Sequence, residues 1–167
     1  MSTSADIEGF LAKYSADVAA QLQGARAHLA THFPQGFELV YDNYNALVFA
    51  FASSERASDA VVSVAGYPMW VTLFFLHGTS LPDPEGVLQG QGSQVRSVRL
   101  SPSSRLLEPA VQTLIQAAKA NNPGFASAPQ LSTLIKSVSS KQRERKPASP
   151  KPARKAAQAP RAKRSGA

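Results

Sequence analysis

His28 and His32 stand four residues apart in a stretch whose apolar residues repeat at helical spacing, so the two imidazoles can share one face and hold one metal ion. No carboxylate flanks them in that stretch, and the dipole favours histidine near a helix C-terminus. They read as structural, and no metal is expected. His77 follows LFFL and precedes Gly78, the position of a strand-end residue. The other candidate for chemistry is GVLQGQGSQVRSVRL, residues 86–100. A Walker-type phosphate loop needs lysine and a hydroxyl after its last glycine, yet Gly92 is followed directly by Ser93 and no lysine occurs between Lys13 and Lys119. A dinucleotide loop should open a helix, whereas this one runs into the strand pattern VRSVRL. It reads as a structural loop whose glycines supply positive φ angles. Its one remaining option for chemistry is to bind an anion between Arg96 and the amides of Gly90 and Gly92.

Tyr41, Asn43, Tyr44 and Asn45 cluster at a turn, and together with Trp70 and the Gly90, Gly92 and Arg96 group they form the candidate ligand-binding set. Asparagine tolerates left-handed geometry, which explains the turn without a ligand. Catalysis finds little support. The chain has no cysteine, which excludes thiolate chemistry and disulfides. It has no G-x-S-x-G elbow, and Asp83 and Glu85 flank prolines in a loop. No catalytic residue and no cofactor is expected.

The formal charge of +7 is unevenly placed. Residues 1–135 carry 7 Lys and Arg against 10 Asp and Glu, a net −3, while residues 136–167 carry 11 against one, a net +10. The segment from residue 139 onward is rich in Lys, Arg, Pro and Ala and has no aromatic residue, leucine or isoleucine, so it cannot offset the entropy of ordering it. This predicts a folded domain over 1–138 and a disordered basic tail over 139–167. The tail's Lys141, Arg143, Arg145, Lys146, Lys151, Arg154, Lys155, Arg161, Lys163 and Arg164 could neutralise phosphates without sequence preference.

These residues need a scaffold. Ile7, Leu11, Tyr14, Val18, Leu22, Ala25 and Leu29 recur at helical steps, with Ser15 as an N-cap, which predicts a short helix, a break and a longer helix that Pro34 closes. FELVYD, ALVFAFAS and the two apolar runs of AVVSVAGYPMWVTLFFLHG predict four strands joined as hairpins, and residues 94–100 a fifth. Pro109 opens a further helix, and LSTLIKSV reads as a short edge strand. MWVTLFFL is apolar on both faces, so Trp70, Phe74 and Leu76 should meet a second layer or another chain. The acidic N-terminal stretch, and the absence of any apolar run near the roughly 20 residues a bilayer requires, suggest a cytoplasmic protein with no membrane partner.

YDNYNALVFAF, WVTLFFLHGTSLPDPEGVLQGQGSQVRSVRL and IKSVSSKQRER together resemble the YdhG-like domain of unknown function, over most of residues 5–145. The resemblance implies an α+β, frataxin-like architecture: an antiparallel sheet of five to six strands with N- and C-terminal helices packed on one face. The family includes a bacterial iron chaperone. Iron binding of that kind would need an acidic ridge, and the acids available are Asp6, Glu8, Asp17, Glu38 and Asp42, scattered along the chain. The expected role is a non-catalytic binding or carrier module for a small ligand, a metal or a protein partner, a second copy of the chain included. The alternative is a nucleic-acid-associated protein anchored by its tail.

Overall fold

The structure is a computed structural model and describes residues 3–146. Helix α1 (Thr3–Leu11) and helix α2 (Ala16–His32) are separated at Ser15, whose hydroxyl accepts from the amide of Val18 at 3.3 Å. The capping hydroxyl satisfies one of the amides that a helix start leaves unpaired, so the break falls where the sequence places it. Strands β1 (Phe37–Asp42), β2 (Leu47–Ala52), β3 (Ala60–Gly66) and β4 (Val71–Phe75) follow as consecutive hairpins, then β5 (Arg96–Arg99), helix α3 (Pro109–Ala120) and β6 (Ser132–Val138). The six strands form one sheet in the order β5-β4-β3-β2-β1-β6.

The fold class is α+β, as expected, but the sheet is mixed. β6 pairs with β1 in parallel, whereas every other neighbouring pair is antiparallel. Four antiparallel steps leave β5 running the same way as β1. A single returning helix, α3, then brings the chain back to the end from which β1 starts, so β6 enters alongside it in the same direction.

Alternation along the strands separates two faces. Across the sheet, Ile135, Val40, Phe49, Val64, Leu73 and Val98 stand in register and pack in one core with the helix residues Leu11, Leu22, Leu29, Val111, Leu114 and Ile115. The next row on the other face is Leu134, Leu39, Ala50, Ser63, Phe74 and Ser97. The second apolar cluster, around Leu39, Ala50, Ala52 and Ala60, contains no helix residue. All three helices therefore sit on one side.

The helix side is tied to the sheet by buried polar contacts. The Tyr14 hydroxyl donates to the carbonyl of Gly66 at 2.5 Å and accepts from the amide of Leu47 at 2.9 Å, joining the helix break to the ends of β2 and β3. Burial pushes its pKa up. Gly66 also lets α2 pack closely on β3, since a Cβ there would lie 2.6 Å from Leu22 Cδ2.

The chain does not leave the domain at Val138. The amide of Ser139 donates to the carbonyl of Asp42 and that of Arg143 to the carbonyl of Tyr44, at 2.8 and 2.9 Å. Arg145, expected in the tail, is 2% exposed; its guanidinium pairs with the Asp42 carboxylate, donates to the carbonyl of Asn43, and stands 5.3 Å from the Tyr14 ring centroid. Lys13 bonds the other carboxylate oxygen at 2.6 Å. The physical reason is local to Asp42. A carboxylate 0% exposed needs cations and donors around it, and the nearest chain that can supply them is the segment after β6. Burial alone would raise the Asp42 pKa. The side-chain bonds from Lys13, Gln142 and Arg145 outweigh burial and hold it below the ordinary carboxylate range.

Candidate binding surface

The open face of the sheet is built from the sequence's own size pattern. Its floor is Ala50, Ala52, Ala60, Ser63, Ala65 and Thr72 on β2, β3 and β4, all buried, with half-buried Val48 standing between Tyr41 and Ala65. Larger side chains stand on either side of that floor. Phe37, Tyr41 and Leu134, from β1 and β6, flank it on one side; Phe74 on β4 and Trp70 just before it flank it on the other, and all five are partly exposed. Strand spacing puts β1 and β4 about 14 Å apart, so the floor and its walls form a shallow trough. Among the described residues, no helix covers it.

At one corner of the trough, Tyr67 and Trp70 stack at 5.3 Å between ring centroids, and the Arg99 guanidinium lies 4.3 Å from the Trp70 centroid. Met69, 63% exposed, extends the patch. The β3–β4 turn holds this corner in place, with the Tyr67 amide donating to the Trp70 carbonyl at 2.8 Å. Burial raises the pKa of Tyr67 and of Tyr41. The Tyr41 hydroxyl is itself buried and has no hydrogen-bond partner among the described residues.

The residues singled out from the sequence do not converge on one site. Tyr41 and Trp70 lie on the two walls of the trough. Asn43, Tyr44 and Asn45 form the β1–β2 turn at the end of the sheet, where the Asn43 amide donates to the Ala46 carbonyl at 2.9 Å and Tyr44 is 53% exposed. That turn is gripped from the other side by Arg143 and Arg145, through the carbonyls of Tyr44 and Asn43.

The glycine loop lies beyond β4 and β5. Gly86 and Gly90 have φ of 63° and 133°, as a structural loop requires. Arg96 donates to the carbonyls of Gly92 and Val95 at 2.6 and 2.8 Å. Arg96 Nη1 thus closes the loop on the loop's own carbonyl oxygens. Arg96 and Arg99 stand on opposite faces of β5, as the alternation implies.

Of the basic residues assigned to the tail, Lys141, Arg143 and Lys146 are exposed and remain available to phosphate, but Arg145 is not. Lys151, Arg154, Lys155, Arg161, Lys163 and Arg164 lie outside the described residues. Two of the five acids considered for iron are already neutralised. Glu38 is 3% exposed and takes both carboxylate contacts from Arg26 at 2.7 Å, and Asp42 is held by Lys13 and Arg145. Among the described residues, no helix is long and apolar enough to cross a membrane.

Sequence reasoning missed Arg99 as the partner of Trp70: parity puts Arg99 on the face of Ser97, but its register opposite Thr72 is seen only in the sheet. It also missed Gln112, which α3 carries to His28 and His32 at 3.0 Å from each. No spacing rule connects residues 80 positions apart. No family model, curated protein or solved structure matches the chain.

Proposed function

We propose that the protein is a YdhG-like, non-catalytic binding module that recognises a protein partner with the open face of its sheet. The observation that carries this reading is the one-sided packing: three helices on one face, and on the other partly exposed Phe37, Tyr41, Trp70 and Phe74 around a floor of small residues. Apolar surface of this kind on one sheet face marks a contact site. The first partner to test is a second copy of the chain. Large walls beside a small-residue floor suit a two-fold arrangement, in which Phe74 of each copy enters the trough of the other.

Trp70 is the single tryptophan and stands on this face, so its emission reports the contact directly. On dilution, light scattering should show a dimer dissociating while the Trp70 emission shifts to the red, and Phe74→Glu should give a monomer at all concentrations. A wild-type protein that remains monomeric at the highest concentration reached would refute self-association.

A second reading is favoured by the Tyr67–Trp70–Arg99 stack and the +10 charge of residues 136–167. Single-stranded nucleic acid binds through aromatic platforms and basic segments of this kind. Its signature is quenching of Trp70 by an oligonucleotide, with an affinity that falls steeply as salt rises. An iron-carrier role, which the family resemblance suggests, is less favoured because Glu38 and Asp42 are committed to ion pairs.

A further inference from the structure

The last two turns of α2 and the first turn of α3 meet away from the open face, and three side chains converge there. His28 Nε2 and His32 Nε2 are 3.3 Å apart, and Gln112 Oε1 is 3.0 Å from each. The imidazole planes are inclined at 66° with centroids 4.9 Å apart, so the rings are splayed edgewise around the point where their Nε2 atoms meet. A tetrahedral ion with metal–nitrogen bonds of about 2.05 Å places two ligand nitrogens about 3.3 Å apart. The imidazole nitrogens already stand at that separation.

The Gln112 amide nitrogen donates to the carbonyl of Leu106 at 2.7 Å, which holds Oε1 3.0 Å from each imidazole nitrogen. A neutral imidazole with its proton on Nδ1 presents a lone pair at Nε2, so two imidazole nitrogens and one amide oxygen can together supply three ligand bonds to one cation. The carbonyl end of α2 adds a favourable potential for positive charge.

We propose that His28, His32 and Gln112 form a binding site for one late first-row divalent cation, with solvent completing the coordination. His28, His32 and Gln112 are each half-buried, so water can reach the ion, and His28 also lines a groove of about 510 Å³ between α2 and the segment that leads into α3, bounded by Gly24, Val71, Leu100 and Leu106. Imidazole and amide-oxygen ligands without a thiolate or carboxylate favour Cu²⁺, Ni²⁺ and Zn²⁺ over Fe²⁺ or Mg²⁺. The site is independent of the sheet face and of whatever binds there.

The test uses untagged full-length protein labelled with ¹⁵N, titrated with Zn²⁺ and followed through its imidazole resonances. The chain has three histidines, and His77 lies on an exposed turn, which makes it an internal control. Shifts of His28 and His32 that saturate at one equivalent, with His77 unmoved, are expected. His32→Gln should weaken binding by at least about tenfold and Gln112→Ala by a smaller factor, by analogy with the loss of supporting groups at metal sites. Circular dichroism verifies that each variant remains folded, and should His32→Gln not fold, His28→Asn is the second variant. Equal shifts at all three histidines, binding unchanged by loss of His32 or His28, or no saturation at one equivalent would overturn the site.

Discussion

Replacing Arg145 with methionine keeps most of the side-chain volume and removes the charge that faces Asp42. Both partners are fully buried, and breaking such a pair by removing one side costs about 3–5 kcal/mol, because the remaining charge is left uncompensated. Lys13 stays at 2.6 Å from the carboxylate but is 39% exposed, so it supplies only part of what is lost. The cost should fall near the lower limit, about 3 kcal/mol, or about 10 °C in the melting temperature of a domain this size. Asp42→Asn with Arg145→Met should recover part of that loss, since no charge then remains buried without its partner. Because the folded pKa of Asp42 is lowered, its contribution is fully present above the ordinary carboxylate range and is lost as pH falls through the folded value. The gap between wild type and Arg145→Met should therefore be widest near neutral pH and close on acidification. Thermal melts followed by circular dichroism at several pH values, on the full chain, on residues 1–146 and on residues 1–138, test the argument. The 1–146 chain should match the full chain, and the 1–138 chain should resemble or fall below Arg145→Met. If the 1–138 chain melts with the full chain, or Arg145→Met costs less than about 1 kcal/mol, the node is a surface ion pair in its energetics and the reasoning fails.

Tyr14→Phe leaves the Gly66 carbonyl and the Leu47 amide without their shared partner, and should destabilise the domain by about 1–3 kcal/mol in urea unfolding at an unchanged slope. Gly66→Ala drives a methyl group against Leu22 Cδ2, and should cost about 1–3 kcal/mol by the same measurement; a neutral result would mean that the Leu22 side chain or α2 can shift away freely. Arg99→Ala removes only an exposed cation over an aromatic ring, so the melting temperature should barely move, by less than about 1 kcal/mol, while the Trp70 emission changes.

Short-range physics in the sequence was enough for much of this molecule. Helical spacing from Ile7 to Leu29, the Ser15 cap, Pro109 at a helix start and alternation in FELVYD and WVTLFF determine the elements, because each depends on neighbours a few residues away. Parity likewise places Phe74 on one face and Leu73 on the other. The direction of β6 was beyond such rules. It depends on how many strands precede the returning helix and which edge remains free, which is a property of the whole sheet. Charge at the C-terminal end was misread for a related reason. Composition averages Arg145 with its basic neighbours, and only the folded chain shows that Asp42, 103 residues earlier, is sealed from water and must be neutralised there. The same holds for Gln112 and the two histidines. Their spacing in α2 was legible, but the third ligand comes from a helix that only the packed core brings to them.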